Sequence, residues 1–351
     1  MLVVHMDSGL GNQMLDYAEY LAIQQSNPEE ECLIENLIYE LPDRPGMFSM
    51  WNGYELERLF GIQLPNVKGK FTKEAWERIL QHVEESKFWT ENWNYSPYIV
   101  EAFAAEGLQL QNLGRKKETI QKSQKSVKDM LRGCLTDFFQ TTPGYHMKRI
   151  TRLLMTDRLV AEKNAGYDIY RRYPTDSFVG HSFLFKYKGF GIEKIDEQIR
   201  EAFVFPEITD ERNSRALEMI QSCNAVSIHA RRSDMLFLNG HCYKFGFFKR
   251  AVNYIKKQVE NPVFVFFCDE NSTGWCEENE KIFGLDFHKD QVRFVDWNKG
   301  PDSFRDMQLM AQCKHNIFTE STFGFWGAYL NQNPDKITCA PDVTILSTRT
   351  C

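Results

Sequence analysis

From about residue 213 onward, short apolar runs alternate with amphipathic stretches of roughly a dozen residues. A polar helix ending near Ile220 leads into the strand AVSIHA (225–230), and a helix over 245–258 leads into the strand VFVFFC (263–268). A helix over 275–282, the strand VRFVD (292–296), the helical stretch DSFRDMQLMAQC and the strand HNIFT (315–319) follow. A helix opening near Thr322 and the strand KITCA (336–340) close the series. This alternation predicts a parallel, doubly wound sheet, so the half reads as one Rossmann-like domain.

The first two hundred residues are less regular. Leu2 to His5 predict a short strand, and from Leu10 the apolar positions take helical spacing through Met14, Tyr17, Ala18, Leu21 and Ala22. Further strands are expected over 33–36 (LIEN) and 99–103 (IVEAF). Between these lies an aromatic run, KFWTENWNYSPY, whose rings either pack a core or stack on a sugar face. The basic stretch GRKKETIQKSQKSVKDMLR reads as a solvated helix rather than a nucleic-acid surface. The change of pattern sets the expected domains at 1–205 and 206–351.

At 351 residues and a formal net charge of −6, the chain has the length for two domains and no general affinity for nucleic acid. Any anion site must therefore be local. Nine cysteines without a CxxC pair or metal-ligand spacing suit mostly buried thiols in a reducing compartment. The N-terminus carries no secretory pattern, so a cytoplasmic protein is expected.

Three turns carry candidate chemistry. GLGNQML (9–15) joins a strand to a helix, but it lacks the third glycine and the later acidic residue of a dinucleotide fingerprint. Gly11, Asn12 and Gln13 then form either a ligand-facing turn or a tight turn capped by Asn12. HARRSD (229–234) places Arg231 and Arg232 just beyond a buried strand, where two guanidinium forks match a diphosphate and Asp234 can hold one of them. A surface salt-bridge cluster is the competing reading. In TESTFGFWGAYLN (319–331), Ser321 and Thr322 suit the N-cap of a helix whose dipole favours phosphate.

These turns, together with NGYELERLFGI (52–62), IREAFVFP (199–206) and DSFRDMQLMAQCKHNIFTESTFGFWGAYLN (302–331), resemble the bacterial alpha-1,2-fucosyltransferases, glycosyltransferase family 11. The segments occur in family order from residue 9 to 331, and 105–190 matches least. The resemblance implies two Rossmann-like domains of the B-type glycosyltransferase fold, with GDP-fucose in the crevice between them. It further implies inversion without a metal or other cofactor, and a galactose-containing glycan as acceptor. A lipid-linked acceptor would bring peripheral membrane association.

Carried over residue by residue, the resemblance sets Arg231 and Arg232 at the pyrophosphate, with His229 and Asp234 completing that motif. Asp269 and Glu270 fall in the family's next acidic loop, at ribose or base hydroxyls, and Ser321, Thr322 and Phe323 match its serine-rich turn. Gly11, Asn12 and Gln13 would face the same crevice. The arginines would stabilise charge growing on the leaving diphosphate, while Asp16 or His5 would accept the acceptor's proton.

The chain also departs from the family. Ser8 stands where glycine is usual, Leu15 and Asp16 replace an aromatic and an amide, and Met235 replaces a tyrosine. Glu320 replaces an asparagine and Gly324 a serine. Transfer of another GDP-sugar, another linkage, or a sugar-binding relative without turnover therefore remain as alternatives.

Overall fold

The computed structural model describes residues 1–42, 51–90, 94–117, 131, 134–135, 138, 141–153, 170–180, 192–230, 236–268 and 272–341. The chain divides into two compact units. One comprises Met1–Gln121, Tyr167–Leu184 and Phe190–Pro206; the other comprises Lys122–Gly166, Phe185–Gly189 and Glu207–Cys351. Among the described residues, no helix is long and apolar enough to cross a membrane.

In the first unit, β1 (Leu2–His5) is buried along its whole length and leads to α1 (Leu10–Ser26), while β2 (Cys32–Glu35) returns parallel beside it. The helices α2 (Glu55–Phe60), α3 (Lys73–Ser86) and α4 (Ser96–Ala105) follow. The strands β3 (Gln111–Asn112) and β4 (Ser177–Val179) and the helix α5 (Asp196–Ala202) complete the set. The sheet is parallel, in the order β2-β1-β4-β3.

The strand expected at 99–103 is instead part of α4. Pro97 suits the first turn of a helix, and the buried Ile99, Ala102 and Phe103 share one face at i, i+3 and i+4. The aromatic run before it serves the core: Phe88 and Tyr95 are buried, and Trp89 and Tyr98 pack against the same cluster. Most of the basic stretch, from 118 to 130, lies outside the described residues.

The second unit follows the expected alternation. The helix α6 (Glu211–Gln221) precedes β5 (Asn224–Ala230), and α7 (Leu236–Lys244) and α8 (Phe247–Gln258) lead to β6 (Pro262–Cys268). Next come α9 (Thr273–Glu278), α10 (Glu280–Phe283) and β7 (Gln291–Val295). The helix α11 (Phe304–Gln312), the strand β8 (His315–Phe318), the helix α12 (Thr322–Leu330) and the strand β9 (Thr338–Cys339) end it. The order β7-β6-β5-β8-β9, all parallel, is that of a Rossmann half.

Boundaries shift where the backbone demands it. The helix expected over 245–258 starts after Gly246, which takes the left-handed φ of 71°. The helix expected over 275–282 is two short ones that meet at Asn279. Phe264 and Phe266 of β6 pack with Ile255 of α8 and Phe283 of α10 in one buried cluster, each phenyl ring contributing about 1.5–3 kcal/mol by leaving water.

The helices α11 and α12 pack so closely that a side chain at Gly327 would lie 2.9 Å from Cβ of Met310. Gly327→Ala should therefore lower unfolding free energy by about 1–3 kcal/mol, the usual cost of overpacking. Urea denaturation of the variant measures it, and unchanged stability would mean the two helices separate freely.

Candidate functional site

A parallel sheet binds ligands beyond the carboxyl ends of its strands, at the point where the strand order reverses. In the second unit that point lies between β5 and β8, which are neighbours with His229 opposite Phe318. The two turns singled out in the sequence, 229–234 and 319–324, are thus the continuations of adjacent strands. Arg231, Arg232 and Asp234, with Met235, lie outside the described residues, as do Asp269 and Glu270 beyond β6.

His229 is buried at the end of β5, with its ring 5.6 Å from that of Phe323. A Cβ at position 324 would stand 2.6 Å from Nδ1 of His229 and 2.8 Å from Cβ of Phe318, so the imidazole occupies the space of a larger residue there. Gly324 is therefore matched to His229. Ser321 takes the N-cap position of α12 as expected, but its hydroxyl makes no capping bond. Its N–H instead bonds Thr319 O at 2.7 Å, and Thr322 and Phe323 are half-buried. An oxygen anion can take the place of the missing cap.

Glu320 has a local partner as well. Nε2 of His241, on α7, lies 3.0 Å from its Oε1, and both side chains are largely buried. No local spacing points to this pair, since 79 residues separate its members (320 minus 241).

In the first unit, strand order reverses between β1 and β4, and the residues after β1 form a polar cluster. His5 is fully buried. Its Nδ1 makes a short contact with Oε2 of Glu35, its Nε2 lies 3.6 Å from Oδ2 of Asp7, and its ring stacks on Tyr95 at 3.8 Å. Ser8 Oγ donates to Oδ1 of Asp7 at 2.7 Å, and the Asp7 N–H donates to Oδ2 of the buried Asp16 at 3.2 Å.

Burial alone would lower the pKa of His5. The charges of Glu35 and Asp7 outweigh it and raise the value from 6.5 to about 10. Two flanking carboxylates thus favour the protonated imidazole, which opposes a proton-acceptor role for His5. Burial also pushes the Tyr95 hydroxyl up, reinforced by Asp7, Asp16, Glu35 and Glu19.

The GNQ turn divides its work. Gly9, not Asn12, is the N-cap of α1, and Asn12 lies in the first helical turn. Gln13 is fully buried, and its Nε2 donates to Ser8 O and Gly53 O, each at 2.9 Å, while its Oε1 accepts from the Glu55 N–H at 2.7 Å. That amide is committed to holding the backbone. Gly11 is also buried, whereas Asn12 is half-buried and its side chain bonds no other described residue. Burial raises the Glu55 carboxyl, opposed by Arg58 at 2.5 Å.

Asp7, Glu35 and His241 were missed in the sequence. The first two had a signal, being the polar residues at the carboxyl ends of two adjacent apolar strands.

The model of Glycosyl transferase family 11 matches residues 72–347. The chain belongs to this family. Similar proteins include galactoside alpha-(1,2)-fucosyltransferase 1 of Saimiri sciureus, 31% identical over 146 residues, or 38% of this chain and 38% of that one. Alpha-1,2-colitosyltransferase of Escherichia coli is 31% identical over 153 residues, or 41% of this chain and 49% of that protein. The family 11 chain thus spans less than half the length of the relatives it matches. Among solved structures, NodZ alpha-1,6-fucosyltransferase co-crystallized with GDP aligns over 93% of this chain and 90% of its own, with 12% identity and a TM-score of 0.41.

The raised value of His5 makes stability depend on pH. A folded value of about 10 against 6.5 means that the contribution is complete below pH 6.5 and is lost as pH rises through 10. Denaturant unfolding of the family 11 protein should therefore show stability falling from pH 7 to 10, and His5→Gln should flatten that slope. Equal slopes in both proteins would mean that His5 is neutral in the fold.

Proposed function

We infer that the protein transfers L-fucose from GDP-β-L-fucose to the 2-hydroxyl of a galactose-type acceptor, with inversion and without a metal. The observation that carries this reading is membership of family 11 together with the strand-order switch of the second unit, where β5 ends at Ala230 next to β8 and the uncapped start of α12. Breaking the sugar–diphosphate bond concentrates charge on the diphosphate. Arg231 and Arg232 stabilise it with fixed cations, aided by the N-terminus of α12, so a bound metal is not needed for that task.

Within this reading His229, Asp234, Ser321, Thr322 and Phe323 bind the donor with the arginines, and Asp269 and Glu270 meet ribose or base hydroxyls. Gly11 and Asn12 of the first unit belong to the same donor-binding set, and Gln13 acts indirectly by fixing the turn. A second donor reading has a specific support: the colitosyltransferase among the relatives is as similar as the galactoside fucosyltransferases. Another GDP-activated sugar would use the same arginines and helix terminus, since these meet only the diphosphate.

Incubation with GDP-fucose and a panel of galactose-terminated oligosaccharides should release GDP and give an α-1,2 linkage by NMR, and the rate should survive EDTA. Absence of product, or loss on chelation with recovery on adding Mg²⁺ or Mn²⁺, would overturn the corresponding part. Running other GDP-sugars in parallel decides the donor.

Arg232→Lys keeps one positive charge but loses the planar fork that holds two oxygens at once. Turnover should fall by about 100-fold, the scale for removing one preorganised donor, in both kcat and kcat/KM. Near-normal kinetics would return HARRSD to a surface ion-pair cluster, where the exchange alters stability by only about 0–1 kcal/mol.

A further inference from the structure

We propose that Asp7 accepts the proton of the attacking acceptor hydroxyl, and that His5 is the positioning residue that orients it. This rests on the transferase reading above and assigns a step which that reading leaves open. The placement is geometric. Asp7 is the second residue beyond β1, at the carboxyl edge where the strand order of the first sheet reverses, and its side chain keeps a small exposed portion of 8%. Asp16, the acceptor expected from sequence, is 1% exposed and its Oδ2 already takes the Asp7 N–H.

Two contacts orient the Asp7 carboxylate. Ser8 donates to Oδ1, and Nε2 of His5 lies 3.6 Å from Oδ2. At that separation His5 attracts the carboxylate without hydrogen-bonding it, and this buried Nε2 has no hydrogen-bond partner. Glu35 on the opposite ring nitrogen fixes the imidazole, whose face rests on Tyr95. The result is a carboxylate–imidazolium–carboxylate row across the ends of β1 and β2. Its Asp7 end lies toward the ligand edge, and its Glu35 end is fully buried and accepts the Leu37 N–H at 2.5 Å.

The groups around Asp7 come from every described element packed there. They are His5 from β1, Glu35 from β2, Tyr39 from the turn after β2, Asp16 and Glu19 from α1, Tyr54 and Glu55 at the start of α2 with Arg58 paired to Glu55, and Tyr95 at the start of α4. Of these groups His5 is the cation that faces Asp7, and it favours the ionised form of that partly exposed carboxylate.

The step balances. The acceptor O–H gives its proton to Asp7 as its oxygen forms the bond to C1 of the fucosyl group. The C1–O bond to the diphosphate breaks, and its electron pair leaves with GDP. Asp7 then releases the proton to water.

Asp7→Asn keeps the shape and removes the basicity. Its kcat should fall by about 100-fold or more while GDP-fucose still raises the melting temperature as in the wild type, because donor contacts are intact. Added formate should partly restore Asp7→Ala, which a purely structural role would not allow. In His5→Gln, kcat should fall and the acidic limb of its pH profile should move to higher pH, since a carboxylate without its cation holds a proton more tightly. Turnover of Asp7→Asn within threefold of wild type, or no formate rescue, overturns the assignment alone. Wild-type protein that neither binds nor consumes GDP-fucose overturns the transferase reading and the assignment with it.

Discussion

Burial of the central strand of each parallel sheet on both faces is the constraint from which the candidate sites follow. β1 is buried at all four positions, and β5 at every position after its first. Such strands cannot bear polar side chains in the middle without a partner, so charge and hydrogen-bonding capacity are displaced to their carboxyl ends. Asp7, Asp16 and Glu35 gather around the end of β1, and His229, Glu320 and Ser321 around those of β5 and β8. The chemistry is where it is because the sheets leave it nowhere else.

Two close approaches then fix the geometry of those ends. Gln13 binds three backbone groups from Ser8, Gly53 and Glu55, closing the turn after β1 onto the chain before α2. Removing such an amide leaves buried backbone groups unpaired, at about 1–3 kcal/mol each. At the second sheet, Gly324 lets α12 start against the ring of His229. A serine at 324 would require that ring to move. Glu320 has likewise found a basic partner in His241.

Legibility in the sequence followed the same physics. The second unit was readable because strands such as VFVFFC are too continuously apolar and too β-branched or aromatic to be solvated helices, and turn residues bound them. IVEAF misled because a short apolar run fits a strand or a helix equally well until Pro97 and the 99, 102, 103 spacing are weighed. The turns that carry chemistry were visible as departures from apolar pattern. The pairings His5 with Glu35 and His241 with Glu320 were not, because they depend on strand and helix neighbours that no local spacing encodes. Without Glu35 on its ring, His5 reads in the sequence as an ordinary titrating histidine.

Ser8 shows how a departure from the family pattern can be read physically. It adopts a φ of 64°, the left-handed region where glycine rests without strain and where another residue costs of order 1–3 kcal/mol. The glycine usual at this position fits that backbone directly. A serine there is tolerated because its carbonyl is held by Gln13 and by the Tyr39 hydroxyl at 2.8 Å, which over-determine the turn. In return its hydroxyl reaches Oδ1 of Asp7, a contact that glycine cannot make. The strain and the hydrogen bond occur at one residue, beside the one carboxylate that shares His5 with Glu35. Gln13 and Tyr39 on its carbonyl and Asp7 on its hydroxyl hold the strained turn against relaxation, and with it the position of Asp7.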